Sequence, residues 1–303
     1  MTLLEYHILD VFTTRPFAGN PLAVVLGDAE LTTAQMQAMA REFALSETIF
    51  VAPAEDPTHD ARVRIFTPAS ELPFAGHPTI GCAVMLAGRG QERGDLDVRL
   101  VLEAAAGLVP VAVSRRGDVT EAEFTAPLIP HAAPGVATPA LVAQALDLSP
   151  DELGFGHHWI GLWQGGVGYL YVPVASLGAL ARAWPLEPYW SDLMDRAGVD
   201  SAYLYTPGAG VDFQARLFMP GIGGGEDPAT GSAAAILAAQ LRAARALPRG
   251  RSEFTLAQGV EMGRPSQLWL TVEHGPDGIE AVRIKGAAVL VASGRIRVPG
   301  GAG

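Results

Sequence analysis

The sequence predicts an α+β protein of two similar halves, and three observations carry that prediction. Many short segments alternate apolar and polar residues in the manner of strands. Helical patterns are few and do not alternate steadily with the strands, which argues against a doubly wound parallel sheet. Two stretches also read alike. "AGHPTIGCAVMLA" (75–87) and "GEDPATGSAAAIL" (225–237) match at an offset of 150 residues. The match aligns Pro78 with Pro228, Gly81 with Gly231, Cys82 with Ser232 and Ala83 with Ala233, and sets His77 opposite Asp227. Upstream, "DARVRIFTP" (60–68) and "DFQARLFMP" (212–220) share Asp, Arg, Phe and Pro at an offset of 152. Each copy runs from an alternating strand through a Pro or Gly loop into a helix start, so an internal duplication of about half the chain is expected.

"YHILDVF" and "PLAVVLG" open the chain as strands. "TTAQMQAMAREF" spells a helix, with Thr32 as N-cap and Gln35 three residues on in a capping box. The strands "DVRLVLEA" and "LVPVAVSRRG" follow, and then "APLIPHAAPGVATP", whose four prolines in fourteen residues suit a connection between domains. "ATPALVAQALDL" offers Thr138 as a cap and Pro139 at the first helical position. "GYLYVPV", "QLWLTVEH" and "IKGAAVLVASG" supply further strands. Each half is expected to wrap its sheet around one apolar helix, with a cleft between the halves.

The totals exclude several classes of function. At 303 residues there is room for two domains of ordinary size, and 49% apolar with 17% charged residues describes a well-buried globular chain. A net charge of −11, without clustered Lys or Arg, disfavours nucleic acid as a partner. The opening "MTLLEYHILD" carries Glu5, His7 and Asp10 where an export signal needs an unbroken apolar core. The longest uncharged, mostly apolar stretch, Pro228 to Leu241, is interrupted by Gln240 and ended by Arg242, short of the ~18 to 20 residues that span a bilayer. A cytoplasmic location and no membrane partner are therefore expected. Cys82 is the only cysteine, which rules out an internal disulfide, a Cys-rich zinc site and a two-cysteine mechanism.

The two helix starts are the candidate site. A helix start presents unpaired N–H groups and the positive end of the dipole to an anion. Gly76 and His77 precede Pro78 in one copy; in the other Asp227 precedes Pro228, and Gly231 and Ser232 add amides a ligand can approach. Halves related by a pseudo-twofold axis would set His77 and Asp227 across one cleft. Glu47, in "FALSETIFV", lies among Phe43, Ala44, Leu45, Ile49 and Phe50. Desolvation there would raise its pKa toward the range suited to moving protons at neutral pH. A solvated or capping residue at a helix-to-strand junction would explain it equally.

Five phrases in order, "LDVFTTRPFAGNPLAVV", "LSETIF", "RIFTPASELPFAGHPTIG", "FMPGIGGGEDPATGSAAA" and "QGVEMGRPS", resemble the phenazine-biosynthesis PhzF-like family over nearly the whole chain. The resemblance implies a diaminopimelate-epimerase-like fold. Its two pseudo-symmetric domains, 1–130 and 131–303, would each be a curved, mostly antiparallel sheet around a central helix. A return of the last strand to the first half is left open, and a homodimer is implied. It further implies an isomerase that works without a cofactor on a small carboxylated substrate, as the best-known member does on trans-2,3-dihydro-3-hydroxyanthranilate. Glu47 would be the general acid/base that takes a proton from one carbon and returns it to another, leaving an enol that tautomerises to a ketone. His77 and Asp227 would position substrate and steer polar protons, and Gly76, Gly231 and Ser232 would hold its polar groups. Epimerase relatives carry two cysteines at this site, where His77 and Asp227 are expected here, and Cys82 is expected in the core. "LWQGGVGYL" (162–170) departs from the family's usual Ser, Thr or Asn followed by Gly.

Rival readings fit less well. The loop "PGIGGGEDPATG" lacks the lysine of a phosphate-binding loop, and Glu226 and Asp227 would repel phosphate. His157 and His158 are adjacent, no H-E-x-x-H occurs, and His59, His131 and His274 read as solvated loop residues, so no metal is expected. Lys285, the only lysine and so the only partner for pyridoxal phosphate, sits in an apolar strand phrase. A small-molecule binding protein on the same scaffold, without turnover, is the alternative from another class.

Overall fold

A computed structural model describes residues 2–27, 31–90, 94–219 and 225–300. The chain forms two compact units, Met1–Pro127 with Lys285–Gly303, and Leu128–Ile284. In chain order the first unit holds β1 (Leu3–Val11), β2 (Asn20–Leu26), α1 (Thr33–Phe43), β3 (Glu47–Ala52), β4 (Ala61–Phe66), β5 (Glu71–Leu72), α2 (Gly76–Gly90), β6 (Leu96–Ala104), β7 (Gly107–Arg116) and β8 (Val119–Thr125). The second holds β9 (His131–Ala132), α3 (Pro139–Ala145), β10 (Gly161–Gln164), β11 (Gly168–Pro173), α4 (Leu177–Arg182), α5 (Tyr189–Ala197), β12 (Ala202–Pro207), β13 (Phe213–Phe218), β14 (Glu226–Asp227), α6 (Gly231–Ala243), β15 (Gly250–Gln258) and β16 (Ser266–His274). The last strand, β17 (Ile279–Arg297), begins in the second unit and belongs to the first from Lys285 onward.

In the first unit the ladder closes on itself. β1 pairs β2, then β3, β4, β6, β7 and β8 follow in turn, and β17 pairs both β8 and β1. Closure leaves this ring without unpaired strand edges. α2 packs against β1, β2, β3, β7 and β8. Every residue from 75 to 85 is buried, which is how a helix that is apolar on all sides must be placed. Cys82 is part of this interior, and burial pushes its thiol up to about 12, so it is a core residue as expected. α1 lies on the sheet through Met36, Met39 and Ala40, which meet Val25, Phe50 and Phe66. The Thr32–Gln35 capping box starts α1 as spelled, and Ala44 ends it in the left-handed region at φ 51°.

The second unit repeats the order of pairings. β1–β2–β3–β4 are joined antiparallel, parallel and antiparallel, as are β10–β11–β12–β13. β4 then pairs β5 and, in parallel, β6; β13 pairs β14 and, in parallel, β15. This equivalence corrects the register read from the sequence. β4 and β13 keep the offset of 152, but Glu71 stands opposite Phe66 as Glu226 stands opposite Phe218, and the helices begin at Gly76 and Gly231. The offset from β5 and α2 to their counterparts is therefore 155. His77 corresponds to Ser232, not Asp227; Asp227 corresponds to Leu72 and Gly81 to Ile236. Small residues recur so often in both helices that one-letter identity favoured the wrong frame, whereas ladder register and helix start permit one.

The second unit also carries a helical layer, of which only α3 was foreseen from the sequence. α3, α4 and α5 pack a second core through Val142, Leu146, Leu180, Leu193 and Trp190 against Leu170, Val172 and Leu204. Thr138 and Pro139 start α3 as spelled. α4 is too short to show a clear period, though Ser176 caps it; α5 buries Trp190, Leu193, Met194 and Ala197 at helical spacing and ends at Gly198, at φ 66°.

Two predictions follow from the first unit. A Cβ at Gly81 would lie 2.5 Å from Leu22 Cδ2 and 2.8 Å from Val11 Cγ2, whereas one at Gly88 in the same helix would meet nothing within 4 Å. Gly81→Ala should lower stability by up to about 2 kcal/mol, overpacking of ~1 to 3 set against a helix-propensity gain of ~1. Gly88→Ala should raise it by up to about 1, both read from denaturant midpoints. The second prediction concerns Glu103, which accepts the N–H groups of Asp56 (2.9 Å) and Glu55 (2.8 Å) and lies 2.8 Å from His59 Nδ1. These partners hold its carboxyl at about 2. A depressed folded pKa stabilises above the unfolded value of ~4.3 and is lost as pH falls through that window to about 2. The difference between the melting curves of wild type and Glu103→Gln should be present at about pH 5 and shrink as pH falls toward about 2.

Candidate active site

The first unit brings Glu47, Gly76 and His77 together. Glu47 is the first residue of β3, beside Leu22 in the parallel ladder, immediately after the turn that ends α1. His77 is the second residue of α2 and only 5% exposed. Its Nδ1 lies 2.9 Å from Glu47 Oε2, a contact close in distance but off the hydrogen-bonding angle. Of the apolar residues expected around Glu47, Ile49 and Phe50 are buried, Phe43 and Leu45 are half-buried and Ala44 is exposed, while the carboxylate meets an imidazole. Gly76, buried, opens the helix, and Thr79 ties the first turn by donating its hydroxyl to Ala75 O at 2.8 Å.

The second unit brings Asp227, Gly231 and Ser232 together. Asp227 lies on β14 opposite Leu217 and is 6% exposed. Thr230, the N-cap of α6, donates its hydroxyl to Asp227 Oδ2 at 2.5 Å. Gly231 starts the helix, and Ser232 Oγ lies 2.7 Å from the hydroxyl of Tyr169. Tyr169 escaped the sequence reading although it stands in the atypical 162–170 segment. Two residues on, Tyr171 donates to Ala233 O at 2.7 Å, so alternate residues of β11 reach the first turn of α6. Full burial drives the Tyr171 phenol well above its ordinary range, so it remains a donor.

A second group missed from the sequence is the buried pair beside Asp227. Arg216 donates from Nε and Nη2 to the two oxygens of Glu226 at 2.8 and 2.9 Å. Its Nη1 meets the carbonyls of Leu180, Ala181 and Ala183, and its guanidinium lies 4.5 Å from the Phe218 ring centre. Glu226, read from the sequence as a phosphate-repelling acid, is therefore neutralised within the fold. The equivalent Arg64–Glu71 pair in the first unit is about one-third exposed, at 30% and 31%. The signal was the Arg shared by both copies of the repeated strand. Removing one partner of a buried pair costs about 3 to 5 kcal/mol, and of a solvent-accessible one ~0 to 1. Arg216→Met should therefore shift the urea midpoint far more than Arg64→Met.

The remaining histidines divide. His131 is exposed, but His59 pairs with Glu103, and His158 stacks on Phe155 at 4.3 Å and lies 2.8 Å from the Tyr205 hydroxyl. Desolvation first, and the charge of His157 second, lower the pKa of His158. The solvated-loop reading is corrected for His59, whose imidazole is committed to Glu103. Among the described residues no group of three or more His, Cys, Asp or Glu is placed to hold a metal ion, and no helix is long and apolar enough to cross a membrane. Lys285 pairs with Glu121 at 3.1 Å. Of the glycine-heavy 221–225 segment, only Gly225 lies within the described residues.

Chemically, the first unit offers a carboxylate against an imidazole, a pair able to take and return a proton. The second offers an anion-accepting helix start beside an acid. Comparison with known proteins agrees with an isomerase. The family model described as phenazine biosynthesis-like protein (PhzC-PhzF) matches residues 9–294. An uncharacterized isomerase of Mesorhizobium japonicum is 44% identical over 98% of this chain and 99% of its own. The trans-2,3-dihydro-3-hydroxyanthranilate isomerase of Pseudomonas aeruginosa is 38% identical over 96% of this chain and 98% of its own. The crystal structure of a Bacillus anthracis phenazine biosynthesis protein of the PhzF family superposes with a TM-score of 0.86 at 25% identity, covering 98% of this chain and 100% of that one.

Proposed function

Because the chain belongs to the phenazine biosynthesis-like (PhzC-PhzF) family and is an isomerase, we propose that it moves a proton between carbons of a small carboxylated substrate like trans-2,3-dihydro-3-hydroxyanthranilate. The 2.9 Å approach of His77 Nδ1 to Glu47 Oε2 carries this reading, because it places an acid and a base at one helix start. Glu47 takes the proton from one carbon and returns it to another, and the resulting enol tautomerises to the ketone. His77 steers the proton held by Glu47. Asp227 directs polar protons of the substrate, while the amides of Gly76 and Gly231 and the Ser232 hydroxyl recognise its polar groups. The proton is both removed and replaced by the protein, so this chemistry runs without a cofactor.

The test is proton NMR in D₂O with trans-2,3-dihydro-3-hydroxyanthranilate, comparing wild type with Glu47→Gln. General acid–base catalysis contributes ~10² to 10⁴, so the variant should lose at least 100-fold in kcat. A variant that turns over at the wild-type rate overturns the assignment of Glu47. A wild type that leaves this substrate unchanged overturns the substrate.

A further inference from the structure

"QGVEMGRPS" has no part in the proton transfer just described, yet its first residue is fully buried against Asp227. Gln258 Nε2 donates to the Asp227 carbonyl at 2.8 Å and to Thr230 Oγ1 at 3.0 Å. Its Oε1 accepts the Thr230 N–H at 3.2 Å. The amide has one possible orientation, because a backbone N–H can only donate and a backbone carbonyl can only accept. The amide donates to the Thr230 hydroxyl, so the hydroxyl's own proton must go elsewhere, and it points to Asp227 Oδ2 at 2.5 Å. A directed chain thus runs from Gln258 through Thr230 to the carboxylate.

The next residue locks that chain to the loop. Gly259 has φ +72°, and a Cβ there would lie 2.6 Å from both Pro228 O and Arg264 O. The first unit solves the same packing problem without a glutamine. There β6 and β7 are joined by a tight turn, Ala104 opposite Gly107, and Ala106 N–H donates to Pro73 O at 3.0 Å. By ladder register Ala104 is the counterpart of Gln258, as Leu72 is of Asp227. Holding the loop therefore needs only a backbone hydrogen bond, and the glutamine occurs in the copy that has the acid.

We infer that Gln258 is a positioning residue that, through the Thr230 hydroxyl, holds the Asp227 carboxylate in one orientation with Oδ2 as an acceptor. This rests on the role proposed for Asp227. Hydrogen bonds donated to a carboxylate favour its ionised form, so losing this one raises the pKa of Asp227. The charged groups on the packed elements are Glu226, Glu261 and, in the same loop as Glu261, Arg264. Glu226 on β14 bonds Arg216 on β13, Glu261 in the loop after β15 accepts from Gln214 at 2.7 Å, and α6 carries no charge before Arg242.

The experiment is a pH titration of the Asp227 side-chain carboxyl by carbon NMR in the full-length protein, its resonance assigned by loss in Asp227→Asn. Gln258→Met and Thr230→Val should each raise its midpoint by about 1 pH unit, while Thr230→Ser, which keeps the hydroxyl, should leave it in place. kcat should fall roughly 10- to 100-fold in the first two with a smaller change in KM. An unmoved midpoint in Gln258→Met, with only the melting temperature lowered, overturns the inference. Should Gln258→Met fail to fold, Thr230→Val decides alone, since it removes one hydroxyl from the same chain. The titration needs no substrate, so its outcome is independent of whether trans-2,3-dihydro-3-hydroxyanthranilate is turned over.

Discussion

An α-helix apolar on every side must be sheltered on every side, and this constraint organises both units. α2 and α6 carry apolar side chains around their full circumference, and nearly every residue of their first ten is buried. In the first unit the ladder answers by closing into a ring, completed only when β17 returns to pair β1 and β8. The helix start is the part of such a helix that cannot be made apolar, because its first N–H groups lack partners within the helix. His77 stands at one such start and Ser232 at the other. The chemistry thus sits where the core is obliged to be polar.

Burying polar groups in these places has required specific partners. Charge buried on Glu226 is tolerable because Arg216 meets both its oxygens and turns Nη1 to three carbonyls. Asp227, one residue on, is reached by the Thr230 hydroxyl, which Gln258 orients. The first unit keeps the arginine–glutamate pair in a more exposed form and has Ala104 and Leu72 where the second has the glutamine and the aspartate. Its acid instead comes from Glu47 on a neighbouring strand and bears on the helix-start histidine. The two copies have therefore kept one scaffold and polarised its helix starts by different routes.

The relatives place this scaffold among isomerases, and the fold accounts for the match in its extent. The matched region, 9–294, takes in all of the second unit and the first from the end of β1 onward, including most of the strand that runs from one to the other. A strand that closes a ring cannot be lost without exposing two edges, which ties the end of the sequence to its beginning.

Local signals were legible in the sequence because the physics behind them is local. The capping box of Thr32 and Gln35, the Thr138–Pro139 start, the alternation of β7 and β16, the solitary Cys82 in an apolar helix and the Glu47, His77 and Asp227 phrases all depend on neighbours within a few residues. The partners of those residues depend on which strands become adjacent, and only the tertiary structure decided them. His77 against Glu47, Arg216 against Glu226, and Gln258 against Asp227 and Thr230 join residues 30, 10, 31 and 28 positions apart. The frame of the repeat was decided there as well. Composition can align two alanine-rich helices in several ways, but hydrogen-bonded ladders admit one register, and that register makes Ser232, not Asp227, the counterpart of His77.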